Sequence, residues 1–269
     1  MRCHTLEETP AEELRTAAER LLMAGTAPDG AELVARRKSR VYRYPREDGR
    51  VVYLKHYCAT QPKERLKRLV RNPVRNLALW QRLDGLGIET PHPLLIAEHG
   101  RESVLVTAEV AHTTARQWLR DGRPLEPSLL AALGTTWGRL HTHGMQYVDP
   151  SPANVFIPDP IPEALGLLDL DSLYQVGWIP EWLARQRLGQ LFSRWSAECA
   201  KQDQPPPDPE AFLAFWQAYG AVTGRPTRSH ALAVARRVEE RTARGRGARA
   251  GDRLAATARR WRERVLETR

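Results

Sequence analysis

Tyr147-Val-Asp-Pro-Ser-Pro-Ala-Asn154, followed shortly by Leu167-Leu-Asp-Leu-Asp171, sets an acid, an amide and a second acid in one order along the chain. Asp149 and Asn154 are related as Asp-x-x-x-x-Asn, and the apolar run Val155-Phe-Ile157 follows at once. A turn carrying Pro158, Pro160 and Pro162 leads into Leu165-Gly-Leu-Leu168, which ends in Asp169. The pattern predicts loop, strand, turn, strand, acid. Phosphoryl transfer from ATP uses such a set: the first acid takes the proton of the attacking hydroxyl, while the amide and the later acid hold cations that bridge the phosphates. Taken alone, an acid and an amide among prolines are as well explained by an Asx turn. Three companions favour the chemical reading: a periodic helix ahead of the loop, two strands and their acid in order behind it, and a strand lysine well upstream.

The helix ahead of the loop begins at Pro127 and carries Leu129, Leu130, Leu133, Trp137 and Leu140 on one face. It ends at His143-Gly144. His141 and His143 project about 200° apart on a helix, so one is expected to pack against the loop and the other to face solvent. No third and fourth ligand accompany them, which argues against a metal site. From about residue 113 the chain reads as mainly helical. Residues 181–196 and 209–223 form amphipathic helices separated by Asp203-Gln-Pro-Pro-Pro-Asp208. Gly245, Gly247 and Gly251 are expected to loosen the chain before a final helix.

Upstream, Thr9, Pro10 and Glu12 make a capping box for a helix over residues 9–24. Residues 39–44 and 51–57 read as strands joined by Pro45-Arg-Glu-Asp-Gly49. Residues 62–86 read as helical, with Pro73 starting or interrupting a segment. Residues 94–98 and 103–107 form a second hairpin. Strands and helices segregated in this way give an α+β class. Lys55 alternates with Leu54 and His56 on its strand, where it can face a nucleotide. No Gly-x-Gly-x-x-Gly is present; Lys38 and Ser39 stand where a phosphate-covering loop would lie.

The 269 residues suffice for one large domain or two small lobes, and a 42% hydrophobic content supports a core. The net charge of +9 suits anionic partners such as nucleic acid, phospholipid head groups or a phosphorylated glycolipid. From Arg236 onward twelve arginines face five acids, which places +7 of that +9 in the tail. Leu254, Trp261, Val265 and Leu266 are expected to give the closing helix an apolar face, either for an anionic membrane surface or for packing on the large lobe with the arginines solvated. The eight tryptophans fall mostly on apolar helix faces and read as core rather than as a nucleic-acid platform, so no nucleic acid is expected as a partner. Cys3, Cys58 and Cys199 are scattered and odd in number, which points to a reducing compartment. The polar start and the lack of a spanning apolar run point to a cytoplasmic protein, peripheral at most on the inner face of an inner membrane.

Between roughly Ser39 and Trp195 the chain resembles the lipopolysaccharide-kinase family, the bacterial heptose and Kdo kinases of the protein-kinase-like fold. The matching stretches are Val41-Tyr-Arg, Tyr53-Leu-Lys55, Leu86-Gly-Ile-Glu-Thr-Pro-His-Pro-Leu94, Leu140-His-Thr-His-Gly144, Asp149-Pro-Ser-Pro-Ala-Asn154 and Leu168-Asp-Leu-Asp171. The resemblance implies a two-lobed fold, with a β-rich N-terminal lobe over residues 1–111 and a helical C-terminal lobe over 112–269. It implies ATP and Mg2+, Lys55 on the phosphates, and Glu109 to Ala111 meeting the adenine through their backbone. It places Asp149 at the catalytic position and makes Asn154 and Asp169 metal ligands. The chain departs from the pattern at Tyr147, where many relatives carry His, and at Asn76, where a helix Glu would hold the lysine. Asp169-Leu-Asp171 replaces Asp-Phe-Gly, and no Ala-Pro-Glu segment follows. The implied activity is phosphorylation of a sugar hydroxyl on a lipopolysaccharide core or lipid-A-like glycolipid. A kinase for another small acceptor or for protein Ser/Thr, and a nucleotide-binding pseudokinase, stay open as alternatives.

Overall fold

The computed structural model describes residues 1–5, 12–36, 39–58, 73–225, 227–243 and 248–268. The chain divides into two units, Met1–Arg82 with Thr90–Ala111, and Leu83–Glu89 with His112–Arg269.

The first unit is built on one antiparallel sheet. Its strands are β1 (Arg2–Thr5), β2 (Glu32–Arg36), β3 (Arg40–Pro45), β4 (Val51–Tyr57), β5 (Pro93–His99) and β6 (Glu102–Ala108), in the order β1-β5-β6-β4-β3-β2. Helix α1 (Glu12–Ala24) covers one face. Its Leu14, Ala17, Ala18, Leu21 and Leu22 pack against Tyr42, Val52, Leu54, Leu95, Ala97, Val104 and Val106. Burial of that apolar area is what holds a helix this short in place, since an isolated helix of this length is marginal in water. Both hairpins expected from residues 39–57 and 94–107 are present. The edge strands β1 and β2 carry no alternating pattern; β2 is exposed along its whole length, so nothing in its sequence marks it. The capping box at Thr9 and Pro10, Lys38, and the start of the segment expected from residue 62 lie outside the described residues. Helix α2 is described over Pro73–Gly85, with Pro73 as its first residue.

The second unit is mainly helical. It contains α3 (Ala115–Arg120), α4 (Pro127–Thr142), α5 (Glu181–Lys201), α6 (Pro209–Thr223), α7 (Thr227–Ala243) and α8 (Ala248–Glu267), with short strands β7 (Thr113–Thr114), β8 (Met145–Tyr147), β9 (Val155–Ile157), β10 (Gly166–Leu167) and β11 (Leu173–Gln175). Local chemistry sets the helix ends. Thr114 accepts from the Gln117 N–H at 3.1 Å, and Asp208 accepts from the Ala211 N–H at 2.7 Å ahead of Pro209. Gly224 closes α6 in the left-handed region. The core is an aromatic cluster in which Phe192 meets Phe212, Phe215 and Trp261 edge-on at 4.9, 4.9 and 5.5 Å.

One expectation for the tail is corrected. Gly251 lies inside α8 rather than ahead of it, and residues 227–243 form a helix of their own. Part of the apolar face of α8 packs into the protein core, the alternative expected beside a membrane surface. Trp261 is fully buried, stacks on Phe212 at 4.5 Å and donates to the Pro207 carbonyl at 2.8 Å; Val265 is buried too, and Leu266 stays exposed. Arg262 and Arg264 meanwhile pair with Glu239 at 3.2 Å and Glu210 at 2.8 Å.

Helices α4 and α6 approach through glycine. A Cβ at Gly134 would overlap the Phe215 carbonyl, whereas a Cβ at Gly85, at the end of α2, would meet nothing. Gly134→Ala is therefore expected to destabilise the protein by about 1–3 kcal/mol, because helix backbones must part to admit the methyl. Gly85→Ala is expected to be neutral or to add up to about 1 kcal/mol. Urea unfolding of both variants checks the opposite signs.

Candidate active site

The loop that carries Asp149 is set by the turn before it. Helix α4 ends at Thr142, and Gly144 takes a left-handed φ of 65° against the Gly177 carbonyl, where any side chain would clash. The chain then enters β8, whose Tyr147 is buried edge-on to Trp137 at 6.1 Å. The residue expected to replace a histidine is thus a packing residue. β8 pairs with β11, and the Val148 N–H donates to the Ser172 carbonyl at 2.8 Å.

Asp149 follows directly. The Ser151 N–H donates to the Asp149 carbonyl at 2.8 Å, and the Asn154 N–H to the Ser151 carbonyl at 2.8 Å. The Asn154 side-chain Nδ2 donates to the same Asp149 carbonyl at 3.1 Å. The Leu168 N–H donates to the Asn154 carbonyl at 2.9 Å, which ties the loop to the segment that leads from β10 to Asp169. Ser172 Oγ donates to Asp169 Oδ2 at 3.4 Å. Asp149, Asn154 and Asp169 therefore stand on two segments laced together by backbone hydrogen bonds.

This donor set suits a hard divalent cation. With its Nδ2 committed to Asp149, Asn154 has its Oδ1 as a cation donor, and Asp169 adds a carboxylate. Mg2+ needs few protein oxygens when phosphates and water complete its shell. Among the described residues no group of three His, Cys, Asp or Glu side chains forms a cation site. A cation held here would thus depend on Asn154, Asp169 and the nucleotide.

Sequence reasoning missed the second wall of the loop. The Asp149 carboxylate, 43% exposed, is ion-paired with Arg194 on α5. The neighbouring Trp195 is buried and donates to the Pro150 carbonyl at 3.2 Å. One turn further along α5, buried Glu198 holds Arg116 of α3 at 3.0 Å. Arg194 is 45 residues from Asp149, and no pattern in α5 sets it apart from other arginines on the helix.

The remaining expected residues belong to the first unit. Lys55 sits mid-strand in β4, opposite Val41 and Leu105, with its Nζ 5.4 Å from the centre of the Tyr57 ring. Its neighbours Leu54 and His56 are buried; Leu54 packs under α1, so Lys55 lies on the other face of the sheet. His56 is held by Glu102 at 2.9 Å. At the end of β6 the Ala108 N–H donates to the His92 carbonyl and the Glu109 N–H to the Val51 carbonyl, at 2.9 and 3.2 Å. The Glu109 side chain lies 3.6 Å from Arg43 and 3.3 Å from the Tyr53 hydroxyl. Ala111 is exposed. The Asn76 side chain lies outside the described residues.

His141 and His143 differ as expected in exposure, but the partner of the buried one does not match expectation. His141 hydrogen-bonds the Tyr219 hydroxyl of α6 at 2.9 Å and not the loop. Burial, with the charges of Arg225 and His230 nearby, pushes its pKa down to about 3.

No protein-family model matches the chain, and no curated protein matches it. Solved structures do resemble it. The amicoumacin kinase hAmiN, solved in complex with AMP-PNP, Ca2+ and Ami, superposes with a TM-score of 0.52 at 14% identity, covering 96% of this chain and 97% of its own. WbdD superposes with a TM-score of 0.48 at 15% identity over 87% of this chain, and its complex with the kinase inhibitor LY294002 at 0.48 and 18% over 82%. The chain spans about half the length of WbdD, 51% and 48% in the two structures. The likeness to the amicoumacin kinase establishes the fold: this is an α+β chain of protein-kinase-like fold.

The buried His141 makes stability depend on acid. Its folded pKa lies below the ordinary 6.5, so below pH 6.5 the unfolded chain takes up a proton that the folded chain refuses. The stability in question is complete above pH 6.5 and is lost as pH falls towards about 3, at no more than about 1.4 kcal/mol per pH unit from this group. Urea midpoints between pH 7 and 4.5 are expected to fall more steeply for the wild type than for His141→Gln. Parallel curves would assign the acid sensitivity to other groups.

Proposed function

We propose that this chain is an ATP-dependent phosphotransferase that moves the γ-phosphoryl group to a hydroxyl of a small acceptor, with a sugar of a lipopolysaccharide core or lipid-A-like glycolipid as its acceptor class. The observation that carries the reading is the lacing of the Asp149–Asn154 loop to the Asp169 segment, which gathers one acid, one amide and a second acid on a protein-kinase-like fold. In this reading Asp149 takes the proton of the acceptor hydroxyl as its oxygen bonds to the γ-phosphorus and the bond from phosphorus to ADP breaks. Lys55 pairs with the phosphates, and the backbone of Glu109 and Ala111 meets the adenine. Asn154 and Asp169 hold Mg2+, which when bound offsets the charge on the phosphates.

Two observations support a small acceptor over a protein chain. Only residues 176–180 separate β11 from α5, too few for a segment that docks a peptide. The amicoumacin kinase of like fold was solved with AMP-PNP, Ca2+ and Ami, in keeping with a nucleotide, a divalent cation and a small acceptor. That likeness also favours a second reading, a kinase for a small molecule other than a glycolipid. The +9 charge suits the phosphorylated glycolipid and an anionic membrane surface beside it. With Trp261 and Val265 of α8 buried, such membrane contact would rest on arginines, on exposed Leu266 and on the charge of the acceptor itself.

The test is ADP release from Mg-ATP with deacylated core oligosaccharide, a lipid-A-like glycolipid and aminoglycoside-sized hydroxyl compounds as acceptors, with mass spectrometry of each product. Transfer to the oligosaccharide is expected, and Asp149→Asn is expected to cut it by ~10²–10⁴-fold with ATP binding intact. Nucleotide binding without ADP release from any acceptor would make the chain a pseudokinase. Asp169→Ala is expected to weaken ATP binding more in Mg2+ than in chelator; calorimetry showing equal losses would remove Asp169 from the cation.

A further inference from the structure

We infer that Arg194 is the positioning residue of the transfer step: it holds one oxygen of the Asp149 carboxylate and aims the other oxygen at the acceptor hydroxyl. The inference rests on the reading of Asp149 as the proton acceptor.

The loop backbone is already fixed by the hydrogen bonds of Ser151, Asn154 and Leu168. None of those bonds touches the Asp149 carboxylate; all use its carbonyl or its neighbours. The carboxylate is half-exposed, and left to itself such a side chain samples several rotamers. A base that must meet a hydroxyl at hydrogen-bond distance gains little from a fixed backbone if its χ angles wander. Arg194 supplies the constraint, with its Nη1 against Asp149 Oδ1. A guanidinium is a permanent cation with a planar fork, so it fixes the direction of the carboxylate it pairs with.

Arg194 is itself well placed to hold still. It lies on α5 beside Trp195, whose indole N–H grips the Pro150 carbonyl in the same loop. One turn on, Glu198 grips Arg116 of α3, next to β7, which pairs with the strand following Asn154. Helix α5 thus braces the loop with Trp195 on the backbone, with Arg194 on the acid, and with Glu198 on the element flanking Asn154. Two of these three contacts serve packing. The contact of Arg194 does not: its side chain is 39% exposed, and an exposed ion pair contributes little to stability. Its place against the proposed base, rather than its contribution to the fold, is what distinguishes it.

The experiment compares Arg194→Met, Arg194→Lys, Asp149→Asn and the Asp149→Asn/Arg194→Met double variant. Each is assayed for ADP release from Mg-ATP with water as acceptor and with core oligosaccharide, alongside thermal unfolding. Arg194→Met is expected to lower kcat about 10–100-fold with KM for ATP within about 3-fold of wild type, since misplacing a reacting group by about 1 Å costs on that order. Arg194→Lys keeps the cation and is expected to recover part of the loss. In the Asp149→Asn background Arg194→Met is expected to add little, because it acts only through the residue already removed. A structural role would instead lower the unfolding temperature and cost the same factor in both backgrounds, and that result overturns the inference. An unchanged kcat in Arg194→Met, or a raised KM for the oligosaccharide at unchanged kcat, overturns it too. If Asp149→Asn itself turns over at the wild-type rate, the reading of Asp149 fails, and the comparison shows this separately from the fate of Arg194.

Discussion

Two backbone hydrogen bonds, Val148 N–H to Ser172 C=O and Leu168 N–H to Asn154 C=O, hold the candidate site together. They bind a loop rich in proline to a segment that returns to it after the β9–β10 hairpin. Proline removes amide donors and stiffens φ, so such a loop cannot join a long ladder and must be tied at its few remaining donors. Much of the second unit serves these ties. The tight turn at Gly144 sets where β8 begins, and β11 pairs with β8 in a register that brings Ser172 beneath Val148. Close approach of α4 to α6 through Gly134 and Gly138 fixes the helix from which the turn departs.

The helical layer behind the loop shows how one element can meet the core and the candidate site through different faces. Helix α5 buries Leu188, Leu191, Phe192 and Trp195 in the aromatic core while Arg194 reaches the acid. The same core takes up Trp261 of α8, part of the apolar stripe of an arginine-rich amphipathic helix. An amphipathic helix satisfies its apolar face once. Where a cluster of Phe192, Phe212 and Phe215 lies within reach, protein packing takes that face, because aromatic contacts in a close-packed interior add dispersion to burial.

In the first unit, strand alternation does the sorting. Val52, Leu54 and His56 turn to one side of β4, where Val52 and Leu54 meet α1, and Lys55 turns to the other. A lysine among apolar neighbours is placed on the opposite face by the pleat alone, with no cost of burying its charge in the α1 core. The exposed edge strand β2 and the four-residue β1 complete the sheet on either side.

Periodicity and turn chemistry in the sequence determined the two central hairpins, helices α4 and α6, the order of strand and acid after Asn154, and the α+β class. Those features rest on interactions within a few residues, where spacing of apolar side chains and position of Pro and Gly decide the outcome. Helix α5 was visible but ran on to Lys201, past its expected end, because Glu198 and Cys199 are buried by tertiary contacts that local pattern does not register. Other features belong to the tertiary structure alone. The edge strands β1 and β2 form because a partner strand presents open hydrogen-bonding groups, whatever their own side chains. His141 pairs with Tyr219 across 78 residues, and Trp261 enters the aromatic core although its helix is rich in arginine. Arg194 meets Asp149 across 45 residues of chain. The Asp-x-x-x-x-Asn spacing was legible because loop geometry sets it locally. The cation that holds its acid was not, because that contact exists only once α5 has packed against the loop.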